Sequence, residues 1–156
     1  MRAVFPVVMR VKACAWLLSL LIAVTTSAGL AHLFALPNKI GLPRESYLTV
    51  QQIYRGWALL GVAFFGALGA TTWLAVLARG RPAFYPTLVA ALSLAASLTV
   101  FFAFTYPVNR QTANWTLLPQ HWEQLRRQWE YSHAASAVLD LTALVSFALC
   151  LLVDRR

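Results

Sequence analysis

Apolar residues fill four long stretches of this 156-residue chain, and most polar residues lie in the segments between them. A helix needs roughly 20 mostly apolar residues to cross a bilayer, because each residue adds about 1.5 Å toward a hydrocarbon thickness of about 30 Å. Each stretch is long enough. The pattern therefore predicts an all-α integral membrane four-helix bundle in a single domain, with spans over residues 14–36, 57–78, 83–106 and 133–153.

Proline and glycine indicate where these helices end. The first helix is expected to stop at Pro37, because proline has no backbone N–H and restrains the residue before it. Gly80 and Pro82 lie between the second and third spans, which predicts a tight turn between antiparallel neighbours. The apolar run after Ala13 also resembles a signal peptide, but it continues to Leu36, which favours an uncleaved first helix.

Two longer connections carry many of the polar and aromatic side chains. The first is a loop over residues 37–56. The second follows Pro107 and contains an interfacial helix over residues 119–132, in which Pro119 suits the first helical position. This helix is expected to run straight into the fourth span. Both connections join helix ends on the same side, so we predict two polar, aromatic-rich loops on one side of the bundle.

Composition supports a membrane protein and changes the meaning of the basic charge. The chain is 60% hydrophobic and only 12% charged, which is unusual for a soluble domain. Its net charge of +8 would suggest nucleic acid in a soluble protein, but here the basic residues flank apolar runs, where they bind anionic lipid. We expect membrane lipids as partners and no nucleic acid. A membrane-protein partner or a second copy of the chain is a further candidate.

The distribution of basic residues predicts the orientation of the protein. The basic residues on the side of the bundle that carries both termini lie in short segments next to helix ends, where the positive-inside bias is strongest. This favours a multi-pass protein of the cell's inner membrane, with both termini in the cytoplasm and both long loops outside. The two sets are Arg2, Arg10, Lys12, Arg79, Arg81, Arg155 and Arg156 on the first side, and Lys39, Arg44, Arg55, Arg110, Arg126 and Arg127 on the second.

Candidate functional residues gather on the loop side. An ionisable group at the membrane edge is costly unless it is paired or faces a cavity. On a helix that continues from Pro119, Arg126, His133 and Asp140 recur every seven residues and form a stripe that should face the bundle. Asp140 should be protonated or bonded to a polar neighbour, in a structural interhelical bond or a proton relay. All three histidines, His32, His121 and His133, lie on this side.

A metal site has weaker support. Glu130 and His133 have the Glu-x-x-His spacing that di-iron bundles use, but those sites need further carboxylates, and the second and third spans contain no acidic residue. We therefore predict no metal, with one ion bound by His32, Glu130 and His133 as the alternative. The sequence specifies no cofactor. It also lacks catalytic-triad and phosphate-loop patterns, so nucleotide chemistry is not expected.

Two parts of the chain resemble a known family. Residues 32–39 (HLFALPNK) and 47–57 (YLxVQQxYRGW) carry the first part, and Pro107-Val108-Asn109 followed by Trp122-x-x-x-Arg126-x-x-Trp129-x-x-x-His133 carries the second. They resemble small four-helix bacterial membrane proteins of unknown function that are related to anthrone oxygenase-like proteins. The resemblance covers nearly the whole chain. It departs at Ser136, where the family often has arginine. The resemblance implies the four-helix fold directly. It implies an activity only by way of the related anthrone oxygenase-like proteins, because most members of the family are uncharacterised.

The leading hypothesis is an oxygenase-like or redox-related enzyme that acts on an apolar aromatic or quinone-like molecule at the outer membrane face. His133 would be the general base or proton shuttle, because imidazole titrates near neutral pH. Asn109 and Arg126 would stabilise a developing oxyanion. The predicted substrate-binding residues are Trp122, Trp129, Tyr54, His32 and Trp115.

The alternative is a non-catalytic membrane subunit or a scaffold that binds lipid or a partner. The same aromatic and arginine residues would then be interface residues, since these types dominate protein interfaces. The two hypotheses predict different surfaces. A partly polar pocket ringed by His32, Trp129 and His133 favours the enzyme, whereas a flat exposed aromatic face favours the scaffold.

Overall fold

The computed structural model describes the backbone from Val4 to Val153 and the side chains from Trp16 to Val153. Terminal basic residues used above for orientation, Arg2, Arg10, Lys12, Arg155 and Arg156, lie outside the described side chains. The helices are α1 (Val4–Lys39), α2 (Arg44–Gln51), α3 (Leu60–Leu77), α4 (Phe84–Val100), α5 (Tyr106–Gln111) and α6 (Trp122–Val153). Short 3-10 turns cover Gln52–Tyr54 and Trp57–Leu59, and a π-helical turn covers Phe101–Thr105. This architecture confirms the predicted all-α class.

Four helical segments of the described chain are long and apolar enough to cross a membrane. Large apolar side chains such as Val62 and Leu92 project outward from them and are exposed, which suits lipid rather than water. The chain is therefore a multi-pass membrane protein. The four segments are Trp16–Lys39, Trp57–Leu77, Phe84–Gln111 and Trp122–Val153.

The bundle is a ring in which each spanning helix has two neighbours. Helix α6 packs against α1 and α4, and α3 packs against the same two helices, so α3 lies diagonally across from α6. Away from the long connections the bundle interior is closely packed. Its core consists of Leu18, Ile22, Ala67, Ala90, Leu94, Ala143 and Phe147.

Two predicted helix ends are wrong. Helix α1 continues past Pro37 to Lys39, because proline removes only one hydrogen bond and the Ile40 N–H still donates to the Leu36 carbonyl at 2.9 Å. The third span continues past Pro107, which lies in the first turn of α5, directly after the π-helical turn, where no N–H is needed.

The connections also differ in detail from the predictions. The first contains α2 and two 3-10 turns, so it is not a simple loop. Helix α6 begins at Trp122 rather than Pro119, whose carbonyl accepts the Trp122 N–H at 3.0 Å in a turn. The uninterrupted course of α6 into the fourth span confirms that prediction. The tight turn at Gly80 is confirmed by its φ of +78°.

Both long connections fold over the same end of the bundle, as predicted. The Arg126 guanidinium donates to the Leu42 carbonyl at 2.6 Å, and the Gln52 amide donates to the Trp115 carbonyl at 3.4 Å. Together the connections form a cap with a small core of its own. This cap core contains Tyr47, Val108, Trp115, Leu125 and Trp129.

Candidate active site

A cavity of about 640 Å³ lies between the cap and the packed half of the bundle. All four spanning helices and both connections contribute to its lining. At the cap end the lining is aromatic and polar, with His32, Tyr54, Trp57, Asn109, Trp115, Trp129 and His133. Farther into the membrane the lining includes Phe64, Phe101, Thr25, Ser97 and Asp140.

Two histidines from different helices meet at the cap end of the cavity. The His32 ring from α1 and the His133 ring from α6 have centroids 4.1 Å apart. His32 also stacks on Tyr54 at 4.1 Å, and Trp129 meets it edge-on at 5.0 Å. Trp57 completes this enclosure with an edge contact to Tyr54 at 4.9 Å. The predicted ring of His32, Trp129 and His133 around a pocket is therefore present.

Hydrogen bonding defines the proton position on His133. Its Nδ1 lies 2.9 Å from the Trp129 carbonyl oxygen, one turn earlier in α6. A carbonyl can only accept, so Nδ1–H must donate, and in the neutral ring Nε2 then carries the lone pair. Because His133 lines the cavity, this arrangement supplies a hydrogen-bond acceptor and a proton acceptor at the cap end.

Asn109 is held by Trp129. The indole N–H of Trp129 donates to Asn109 Oδ1 at 2.8 Å, so the amide oxygen is engaged and the NH₂ group supplies the remaining donors. Asn109 lies on α5 and lines the cavity. Its position depends on α5 continuing the third span past Pro107, which brings this part of the chain over α6.

A buried ion pair lies behind the aromatic enclosure. The Lys39 ammonium is 3.1 Å from Glu130 Oε1, and the Tyr47 hydroxyl donates to the same oxygen at 2.9 Å. Burial, and next the Glu130 carboxylate, raise the pKa of Tyr47 well above its ordinary value, so Tyr47 remains a donor. Lys39 also donates to the Tyr54 hydroxyl oxygen at 2.9 Å, which connects the ion pair to a cavity residue.

Arg126 and Trp122 do not line the cavity, which corrects their predicted places there. The Arg126 guanidinium is buried in the cap, where it donates to Leu42 and lies 4.7 Å from the Trp122 ring centroid. Stacking against Trp122 and Tyr47 directs Arg126 into the cap rather than toward the two histidines. Both predicted site residues support the cap that covers the cavity.

The other predicted residues divide into two groups. Tyr54, His32, Trp115 and Trp129 lie on the cavity as expected, whereas His121 is exposed and only approaches Gln111 at 3.5 Å.

The structure does not favour the alternative of one metal ion bound by His32, Glu130 and His133, because the Glu130 carboxylate is already engaged by Lys39 and Tyr47. Among the described residues no three His, Cys, Asp or Glu side chains come close enough to hold a metal ion.

Unusual backbone segments position two walls of the cavity. Ala113, Asn114 and Trp115 have φ values of 46°, 54° and 62°, a left-handed turn that costs an L-residue roughly 1–2 kcal/mol. This turn buries Trp115 against Tyr47 and Trp129. The π-helical turn at Phe101–Thr105 forms part of another wall. Both kinds of irregularity concentrate at functional sites.

Several cavity or supporting residues were missed by the sequence analysis. Lys39 served there as a basic residue that predicts orientation and as the end of a family motif, although a lysine beside aromatic residues at a span end is also a candidate for a buried pair. Trp57 follows Gly56, whose φ of 86° redirects the chain into the cavity wall. Ser97 carried no distinguishing signal, because a serine in an apolar helix also suits helix packing.

Comparison of the chain with family models, with curated proteins and with solved structures gives no match in any of the three.

Proposed function

We propose that this protein is an oxygenase-like membrane enzyme that removes a proton from a flat, apolar aromatic substrate and directs its oxidation by dioxygen. The observation that carries the proposal is the position of His133 on an aromatic-walled cavity, with Nδ1–H engaged by Trp129 and the Nε2 lone pair available. A base at such a position can accept a proton from a bound ring.

The cavity has features that suit entry of an apolar molecule from lipid. Phe65 and Phe102 both line it and are 54% and 51% exposed. We infer that the substrate enters from lipid at these residues, between α3 and the third span. Inside, Tyr54, Trp57 and Trp129 offer ring faces and edges for stacking.

Anthrone, a three-ring ketone, illustrates the proposed reaction. His133 Nε2 takes a proton from the methylene carbon, and the remaining electron pair delocalises onto the carbonyl oxygen. Dioxygen then oxidises this anion, so that anthrone and dioxygen give anthraquinone and water. One oxygen atom becomes the new carbonyl group, and the other leaves as water with the two methylene hydrogens. The imidazolium returns its proton to that departing oxygen.

In this proposal the Tyr54 hydroxyl, rather than Arg126 as predicted, stabilises the developing oxyanion. The Tyr54 oxygen accepts from Lys39, so its own hydroxyl proton is available to the substrate, and the Lys39 ammonium strengthens it as a donor. Asn109 offers its NH₂ group at the same end of the cavity. Donors placed where charge develops stabilise the anion in the transition state.

The exposure of the tryptophans favours the enzyme over the scaffold. Trp115 and Trp129 are only 3% and 4% exposed, so they do not form a flat surface on which a partner would dock. The segments that carry the family resemblance, residues 32–57 and 107–133, are also those that build the cap and much of the cavity. This coincidence supports a proposed relation to the anthrone oxygenase-like proteins.

We also propose that the protein lies in the inner membrane with both termini in the cytoplasm. Arg79 and Arg81 support this orientation, because they are exposed at the tight turn opposite the cap, next to two helix ends. The cavity then lies in the outer half of the bilayer.

Turnover of anthrone by protein in lipid vesicles tests the proposed base. The rate of anthraquinone formation is measured by absorbance, and autoxidation in protein-free vesicles is subtracted. His133→Ala should lower the protein-dependent rate by at least about 100-fold, because general bases contribute 10²–10⁴. The matched control is His121→Ala, since His121 is exposed at the same end and should not affect the rate.

Thermal unfolding in detergent verifies that both variants fold. An undiminished rate in His133→Ala would remove the proposed base. Unmodified protein that is no faster than protein-free vesicles would remove the proposed reaction.

A further inference from the structure

The membrane-embedded end of the cavity is polar although apolar helices surround it. Thr25, Ser97 and Asp140 come from three different spanning helices and all line this end. Thr25 precedes His32 by seven residues and Asp140 follows His133 by seven residues. Both therefore lie two helical turns, about 10 Å, farther into the membrane than the histidine pair.

Asp140 has unused hydrogen-bonding capacity at this end. The residue is 5% exposed, and its Oδ1 has no hydrogen-bond partner among the described residues. Ser97 of α4 is 3% exposed and lines the same end of the cavity. A buried carboxyl oxygen without a partner is costly inside a membrane, so it should gain a partner when the cavity is filled.

The helix facing Asp140 keeps the space beside the carboxyl open. Gly29 of α1 lines the cavity, and a Cβ at this position would lie 3.5 Å from Asp140 Oδ2. A larger side chain there would cover the carboxyl group. Between this end and the histidine pair the wall is mostly apolar, with Phe64, Leu98 and Phe101, and Ser136 is the polar lining residue of α6 in this part. The cavity therefore has two polar ends separated by a mostly apolar middle.

We propose that Asp140 and Ser97 form a second polar subsite, which binds a hydroxyl group on the far edge of the substrate. The inference rests on the proposed function and specifies its substrate class. The substrate is a flat aromatic molecule whose reacting group lies near His133 and whose hydroxyl group lies on the edge that points farther into the membrane. The far hydroxyl donates to Asp140, which supplies the missing partner of Oδ1.

Two fluorescent probes that differ by one hydroxyl group test this inference. 2-Hydroxyanthracene has one polar edge, and 2,6-dihydroxyanthracene has one at each end of the same ring system. Binding to protein in lipid nanodiscs is followed by probe fluorescence. The dihydroxy probe should bind about tenfold more tightly, because a hydrogen bond to a buried carboxyl of this kind contributes on that scale.

Variants at the subsite should change the preference and leave the other end intact. Asp140→Leu should make the two affinities equal, while 2-hydroxyanthracene binds within about twofold of its original affinity. Asp140→Asn retains an accepting oxygen and should keep part of the preference. Ser97→Ala should reduce the preference for the dihydroxy probe. This variant tests the subsite if Asp140→Leu does not fold. Thr142→Val is the matched control, since Thr142 is exposed two residues along the same helix.

The outcomes separate this inference from the proposed function. Equal binding of both probes to the unmodified protein, or a preference that survives Asp140→Leu, would overturn the second subsite alone. Failure of both probes to bind would contradict a cavity for flat aromatic molecules, and the proposed function would then fall with the subsite.

Discussion

At the scale of single residues, the ion pair between Lys39 and Glu130 is the most unusual feature of the cap. Their side chains are 4% and 0% exposed, and Glu130 Oε1 accepts from Lys39, Tyr47 and Gln51. Charges are rarely buried unless they are paired and hydrogen-bonded. This pair joins the end of α1, helix α2 and the start of α6, so it holds the cap over the cavity.

Breaking this pair should destabilise the protein strongly. Glu130→Gln leaves the buried Lys39 without a counter-charge and should lower the free energy of unfolding by about 3–5 kcal/mol. Unfolding in mixed micelles, followed by tryptophan fluorescence, measures the loss. Glu123→Gln is the control, because Glu123 is exposed in the first turn of the same helix. The double variant Lys39→Met/Glu130→Leu should recover much of the stability. Equal stability of Glu130→Gln and Glu123→Gln would show that the pair contributes little.

At the scale of helices, α1 and α6 approach closely at one position. A Cβ on Gly29 would lie 3.2 Å from the Ala137 Cα and 3.3 Å from its Cβ, closer than ordinary contacts. Small residues allow such approach between helices in lipid. The same approach brings His32 next to His133, each about one helical turn nearer the cap than Gly29 and Ala137, so the helix contact and the histidine pair depend on each other.

Enlarging Gly29 should separate these two helices. Gly29→Leu should lower the free energy of unfolding by about 1–3 kcal/mol, because an overpacked interface must shift its backbone. The matched control is Gly66→Leu on α3, where an added Cβ meets no atom within 4 Å and the residue is exposed. Stability of both variants is compared in the same micelles. A loss at Gly66→Leu as large as that at Gly29→Leu would argue against a specific contact.

Other features at this scale could not be predicted from sequence. The π-helical turn at Phe101–Thr105 has the apolar composition of an ordinary spanning helix. Ala113 and Trp115 have no intrinsic preference for positive φ, so nothing local announces their left-handed turn. Contacts with the rest of the cap hold this turn. By contrast, the continuous course of α6 followed from the absence of a breaker after Pro119, and that prediction is confirmed.

At the scale of the whole molecule, the cap and the packed half of the bundle enclose the cavity between them. The two connections meet because both leave the same end of an antiparallel bundle. This arrangement places every candidate catalytic group on one side of the membrane. The orientation of the chain therefore decides from which compartment the site receives water, protons and dioxygen.

Cysteine labelling in intact cells tests the proposed orientation. After Cys14 and Cys150 are replaced by alanine, Gln120→Cys in the cap connection should react with a membrane-impermeant maleimide. Arg81→Cys, at the tight turn, should react only after permeabilisation, because positively charged short loops favour the cytoplasm. Both parent residues are exposed. The opposite labelling pattern would invert the orientation, and labelling of both from outside would contradict the single span, Phe84–Gln111, that separates the two positions.

The sequence by itself determined the features that depend on local composition and period. Four apolar runs specified four spans, the tight turn at Gly80 required φ above zero, and seven-residue spacing placed Arg126, His133 and Asp140 along one side of α6. These features follow from residues close together in the chain, and lipid penalises any other placement of apolar and polar groups.

Only the tertiary structure decided which of these residues share a cavity. Arg126 and His133 lie on the same stripe, yet Arg126 is drawn into the cap by Leu42 and Trp122, whereas His133 meets His32 on another helix. Lys39 reaches Tyr54 and Glu130 through contacts between segments that are 15 and 91 residues apart. Such contacts depend on how distant segments pack, and spacing along one helix does not encode that packing.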